Sequence, residues 1–117
     1  MSTSFDLVTF DTPSPRQAAV FWIAALGLHE SECEDDGRWI VLSDSTGVRR
    51  IGLQRGSVRP SSVHLDLGCA IDEFDAEVAR LCALGAHLAS DARAESYGRI
   101  ANLVDPDGNP FDLCAYP

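Results

Sequence analysis

A chain of 117 residues allows one domain with one or two small cores, and 45% hydrophobic with 23% charged residues is an ordinary balance for a globular protein. Eighteen acidic against nine basic residues leave a net charge of −9, which repels nucleic acid and anionic membrane surfaces. No apolar run approaches the roughly 20 residues that a membrane span needs. MSTSFDLVTF at the start has neither the basic nor the apolar region of a signal peptide, so a cytoplasmic protein is expected.

The elements follow in chain order. FDLVTF (5–10) is a β-branched and aromatic run and predicts a strand. Ser14-Pro15-Arg16-Gln17 is a capping box with Pro at the first helical position. The helix continues through the apolar stripe Ala18, Phe21, Trp22 and Ala25 and stops at Gly27. HESECE, RWIVLSD and VRRIGLQ then read as three strands, with DDG and DSTG as turns. A Gly-, Pro- and Ser-bearing stretch supplies a linker over 57–62.

Beyond the linker, VHLDL (63–67) predicts a strand and Asp72 a helix cap. Phe74, Val78, Leu81 and Cys82 form the helix stripe, and Gly85 stops it. A weak HLAS, then GRIANLV and PFDLCAY, complete the half, with DPDG as the last turn. Shifting the chain by 58 places ALGLH (25–29) over ALGAH (83–87), with Gly27 on Gly85 and His29 on His87. Two β-α-β-β-β modules, 1–56 and 63–117, are therefore expected, giving an α+β fold. One helix can cover only one face of each sheet. The four cysteines lie far apart with no C-x-x-C pair, so free thiols are expected rather than disulfides or a zinc knuckle. His29 and His87, just past the helix stops, suit the negative helix C-terminus.

VHLDL, DAEVARLCALGAHL, LVDPDGNPFDL and PSPRQAAVFWIAALGL together resemble the vicinal oxygen chelate superfamily of glyoxalase I, bleomycin-resistance proteins and extradiol dioxygenases. The resemblance spans essentially the whole chain, with DPDGNP before a strand as its most specific part. It implies a single glyoxalase-like domain over 1–117 whose curved mixed sheets surround a cleft, with helices on the outer face, often as a homodimer. In metal-using members the ligands project from the first and last strands of each module. Carried onto this chain through the shift of 58, the first-strand positions are Asp6 and His64. The last-strand positions, after one deletion, are Gly52 and Asp112.

Strand alternation then sends Phe5, Leu7, Val63, Leu65, Phe111 and Leu113 toward the helices. It gathers Asp6, His64, Asp66, Asp112, Cys114 and Tyr116 on the cleft face, with Phe10, Trp39, Gln54 and Asn102 by the same count. Asp6, His64 and Asp112 are the candidate metal ligands, suited to Mn²⁺, Mg²⁺ or Zn²⁺ and, within the superfamily, Ni²⁺ or Fe²⁺. Phe10, Trp39, Gln54, Asp66, Asn102, Cys114 and Tyr116 are the candidate ligand-binding residues. No catalytic residue can be assigned.

The preferred reading is a protein that binds a small organic molecule in its cleft without needing a metal. Its acidic, aromatic lining suits cationic or polyaromatic compounds. The alternative is a metal-dependent lyase, isomerase or dioxygenase acting on vicinal oxygens. A module whose cleft is filled by its own side chains is the third.

Overall fold

A computed structural model describes residues 6–59 and 63–117, and the chain divides between Val58 and Arg59 into two compact units. Phe5, expected in the first strand, and part of the expected linker lie outside the described residues. The first unit is built as β-α-β-β-β and the second repeats that plan with one strand split in two, so the fold is α+β with two mixed sheets. Among the described residues no helix is long and apolar enough to cross a membrane.

The first unit runs β1 (Val8–Thr12), α1 (Pro15–Leu26), β2 (His29–Glu34), β3 (Trp39–Ser43) and β4 (Arg49–Arg55). Its sheet order is β1-β4-β3-β2, with β1 parallel to β4 and the other pairs antiparallel. The expected capping chemistry is present. Ser14 Oγ accepts from the Gln17 amide at 3.3 Å, Pro15 opens the helix, and Gly27 closes it in the left-handed region with its N–H on the Ile23 carbonyl. The stripe of α1 buries Ala18, Phe21, Trp22 and Ala25 against β3 and β4. Ile40, Leu42, Ile51 and Leu53 are fully buried at alternate positions of those strands.

The second unit runs β5 (Leu65–Ala70), α2 (Phe74–Ala83), β6 (His87–Leu88), β7 (Arg93–Glu95), β8 (Gly98–Val104) and β9 (Pro110–Tyr116). The order is β5-β9-β8-β6, and β7 also pairs with β8. The strand that HLAS predicts weakly is thus broken into two short pieces on one partner, and the second piece, within ARAESYG, is not visible in the sequence pattern. Asp72 does not cap α2. It lies in a single 3₁₀ turn, Ile71–Glu73, that feeds directly into the helix without a side-chain cap. Phe74 and Leu81 of α2 are buried, and the Arg99 guanidinium lies 4.3 Å from the Phe74 ring centre while pairing with Asp75.

The two long turns are one device written twice. Asp44 accepts from the Thr46 and Val48 amides, the Thr46 hydroxyl and Arg50 Nε, which together hold its carboxyl far below the ordinary range, the Thr46 hydroxyl contributing most. Asp105 accepts in the same way from the amides of Asp107 and Asn109 and from the Asn109 side chain, at 2.8–3.0 Å. Burial, the largest influence there, nevertheless raises the Asp105 carboxyl. Gly47 and Gly108 supply the positive φ that each turn requires. After the first turn a β-bulge leaves Arg50 between the paired residues Arg49 and Ile51. This extra residue is the deletion needed to align Gly52 with Asp112.

The four cysteines are free thiols, as expected.

Candidate functional site

Strand register decides which side chains share a face. In the second sheet Asp66 pairs with Asp112, which pairs with Asn102, while Cys114 pairs with Gly68 and Ile100. Asp66, Asn102, Asp112, Cys114 and Tyr116 therefore lie on one face, opposite the buried Ala101, Leu103, Phe111, Leu113 and Ala115. The helix covers the apolar face and leaves the polar one open. This is the arrangement that alternation predicts for the second half.

The first sheet departs from expectation by one residue. Thr9 pairs with Gly52 and Asp66 with Asp112, so the first strands align with a shift of 57 rather than 58. Leu7, not Asp6, is then the counterpart of His64, and Leu7 Cδ1 stands 3.0 Å from where a Gly52 Cβ would be. Leu7 accordingly lies on the open face and not toward the helix. Phe10 is displaced the other way. It is buried, 5.6 Å from the Trp22 ring, on the helix side of β1 and not on the open face. The physical reason is that a one-residue slip flips every side chain of a strand, and Phe10 is the partner that Trp22 needs.

Asp6 precedes β1, is exposed, and pairs with Arg49 at 2.9 Å, an arginine that also reaches Glu32. The Gly52 position is filled from outside, because a Cβ there would meet the Trp39 ring at 2.5 Å and Thr9 Oγ1 at 2.9 Å. The register positions of the first unit, Leu7 and Gly52, thus offer no metal ligand. Trp39 and Gln54 pair across β3 and β4 and line a hollow of about 370 Å³ with Glu34, Asp35, Arg38 and Arg55.

In the second unit the ligand atoms of His64, Asp66 and Asp112 lie within 4.8 Å of one another. His64 Nε2 is 3.6 Å from Asp66 Oδ1, and both side chains are more than half exposed. Asp112 is oriented by a relay: Arg93 and Ser90 donate to Asn102 Oδ1, and Asn102 Nδ2 donates to Asp112 Oδ1 at 2.7 Å. One imidazole and two carboxylates are a donor set that suits a borderline or hard divalent ion. Ligands on one ion stand closer together than 4.8 Å, roughly 3 Å apart for metal–ligand bonds near 2.1 Å. Exposed side chains can close that gap by rotating, so the residues fit a divalent ion. Asp66, expected among the ligand-binding residues, takes the place in this group that the resemblance gives to Asp6.

Beside this group Asp66, Leu67, Gly68, Tyr97, Ile100, Asp112, Cys114 and Tyr116 line a hollow of about 510 Å³. Tyr97 comes from the turn between β7 and β8, and its ring centre is 5.7 Å from that of Tyr116, with the planes tilted by 39°. Burial and then the neighbouring Cys114 push the Tyr97 phenol up, and Cys114 and then burial do so for Tyr116. Both rings stay neutral. Sequence reasoning missed Tyr97, whose one signal is its place before Gly98.

The glyoxalase-like domain family matches residues 7–114. The chain belongs to that family. A glyoxalase/bleomycin resistance protein/dioxygenase family enzyme from Burkholderia phytofirmans PsJN is 19% identical to this glyoxalase-like protein, with a TM-score of 0.82 over 98% of this chain and 100% of that one. The fosfomycin resistance protein FosX from Listeria monocytogenes, in a mutant complexed with Mn(II) and 1S,2S-dihydroxypropylphosphonic acid, is 18% identical, with a TM-score of 0.79 over 100% and 93% of the two chains. TnmS3, an antibiotic binding protein from Streptomyces sp. CB03234, is 25% identical, with a TM-score of 0.73 over 100% and 99%. No curated protein matches the chain.

Proposed function

We propose that this glyoxalase-like protein binds a small organic molecule on the open face of its second sheet. The observation that carries the reading is the hollow of about 510 Å³ around Asp66, Asp112, Cys114, Tyr97 and Tyr116. Such a volume lies within the range of small-molecule sites, roughly 300–1,000 Å³. A face made only for packing would carry aliphatic side chains, as the helix face of the same sheet does at Leu103 and Leu113. Likeness to an antibiotic binding protein across the whole chain supports the reading.

The test is a thermal-shift screen of small organic compounds, followed by titration calorimetry of hits on the wild type and Tyr116→Ala. Tyr116 is 52% exposed, so its loss leaves the fold in place. Binding is expected to weaken about 10-fold, the scale of an aromatic contact. A screen without a hit, or hits indifferent to the substitution, would overturn the reading. The reading carries with it a cytoplasmic homodimer, which light scattering of the purified protein checks for its dimeric part.

A second reading rests on the His64, Asp66 and Asp112 group and makes the protein a metal-dependent lyase, isomerase or dioxygenase. Mn(II), the ion in the FosX complex, and Zn(II) are the ions best suited to it. A bound ion would polarise substrate oxygens as a Lewis acid. His64 would supply the imidazole and Asp66 and Asp112 the carboxylates, while Asn102 keeps Asp112 aimed at the group by holding its other oxygen. Calorimetry of metal-free protein is expected to show one Mn(II) site that His64→Ala weakens at least about 10-fold. Equal heats for the two proteins would remove this reading.

A further inference from the structure

We infer that the ligand of this open face is a cationic aromatic compound, its ring laid on Tyr97 and Tyr116 and its charge beside Asp66 and Asp112. The inference rests on the small-molecule reading above and narrows its chemistry. Two elements distant in sequence, the turn between β7 and β8 and the end of β9, bring these two tyrosines together. Their rings are in contact yet 41% and 52% exposed, so they form a broad aromatic surface that the second unit leaves open to solvent. The face of a neutral phenol ring carries the negative part of its quadrupole, which attracts a cation.

The charges beside this surface point the same way. The hollow is lined by two aspartates and by no Arg, Lys or His. The nearby arginines are paired with other groups. Arg93 is held by Glu95 at 2.8 Å and by Asn102, and Arg99 by Asp75 on the helix side. His64 stands 3.6 Å from Asp66 but does not line the hollow. An anionic ligand would meet two carboxylates with no counter-charge in the lining. A neutral aromatic compound would gain the ring contact alone. A planar cation gains both, and this difference sets the selectivity.

The experiment is a fluorescence titration of the full chain in low-salt, metal-free buffer with three aromatic probes. They are proflavine as the cation, acridone as its neutral analogue and anilinonaphthalene sulfonate as the anion. Proflavine is expected to bind about 10-fold more tightly than acridone, with the sulfonate weaker than both. The double variant Asp66→Asn/Asp112→Asn keeps an acceptor for Asn102 and is expected to bring proflavine to within about 3-fold of acridone. Tyr116→Leu is expected to weaken both by about 5-fold. Tighter binding of the sulfonate or acridone at this face, or proflavine affinity unchanged in the double variant, overturns the cationic assignment and leaves the small-molecule reading standing. Binding of none of the three, together with no hit in the compound screen, overturns both.

Discussion

Gly98→Ala is expected to lower the unfolding free energy by about 3 kcal/mol or more, through a strained backbone and a steric overlap together. Gly98 has φ +151°, a conformation that side chains rarely adopt, and a Cβ there would stand 1.9 Å from the Ala115 carbonyl oxygen. That oxygen belongs to β9, so the overlap cannot be relieved by turning a side chain. Either the β7–β8 turn or the end of β9 must move, and these carry Tyr97 and Tyr116. Urea unfolding measures the loss of stability, and near-ultraviolet circular dichroism reports the two tyrosines. A loss below about 1 kcal/mol would mean that the turn relaxes without disturbing β9.

The other large effect lies in the first unit. Trp22→Ala is expected to cost about 3–5 kcal/mol, the usual scale for emptying a large aromatic site. Trp22 is 1% exposed, with its ring centre 5.0 Å from Phe21 in an edge-on contact and 5.6 Å from Phe10. Domains of this kind are stable by about 5–15 kcal/mol, so this one change removes a large share. Trp39 remains as the fluorescence reporter for urea titration, and Trp22→Phe is expected to lose clearly less. A midpoint unmoved in the alanine variant would show that Phe10 and Phe21 close the space between them.

Phe10 also marks where the sequence misleads. In the run Phe5 to Phe10 both alternating sets mix apolar and polar residues, Phe5, Leu7 and Thr9 against Asp6, Val8 and Phe10. Periodicity therefore cannot choose a face. The repeat does not choose correctly either, because it is anchored on the helix ends, where the shift is 58. The 3₁₀ turn before α2 lies between the first strand and that anchor in the second unit only, and the strands align at 57. The one-residue difference moves Asp6 out of the candidate metal group and Phe10 into the core. By contrast, β9 alternates cleanly between buried Phe111, Leu113 and Ala115 and half-buried Asp112 and Cys114. Its open face was legible from residue type alone.

Asp66 and Tyr97 show two other kinds of limit. Asp66 is visible in the sequence as a face residue, but its nearness to His64 and Asp112 depends on the parallel pairing of β5 with β9, a contact between segments more than 40 residues apart. Tyr97 sits in a turn, where no period assigns a face, and it lines the hollow next to Gly98, where β9 approaches closely.

By itself the sequence determined the doubled β-α-β-β-β plan, the cap and stop of α1, the paired Asp-and-Gly turns and the polar face of the last strand. Each is a local signal, set by backbone preferences and by hydrogen bonds spanning a few residues. Only the tertiary structure decided the register of β1, the closing of the Gly52 position by Trp39, and the meeting of His64, Asp66 and Asp112. Those depend on which strand lies beside which and on what the helix must bury. That competition among distant side chains for one interior leaves no mark on the pattern of any single segment.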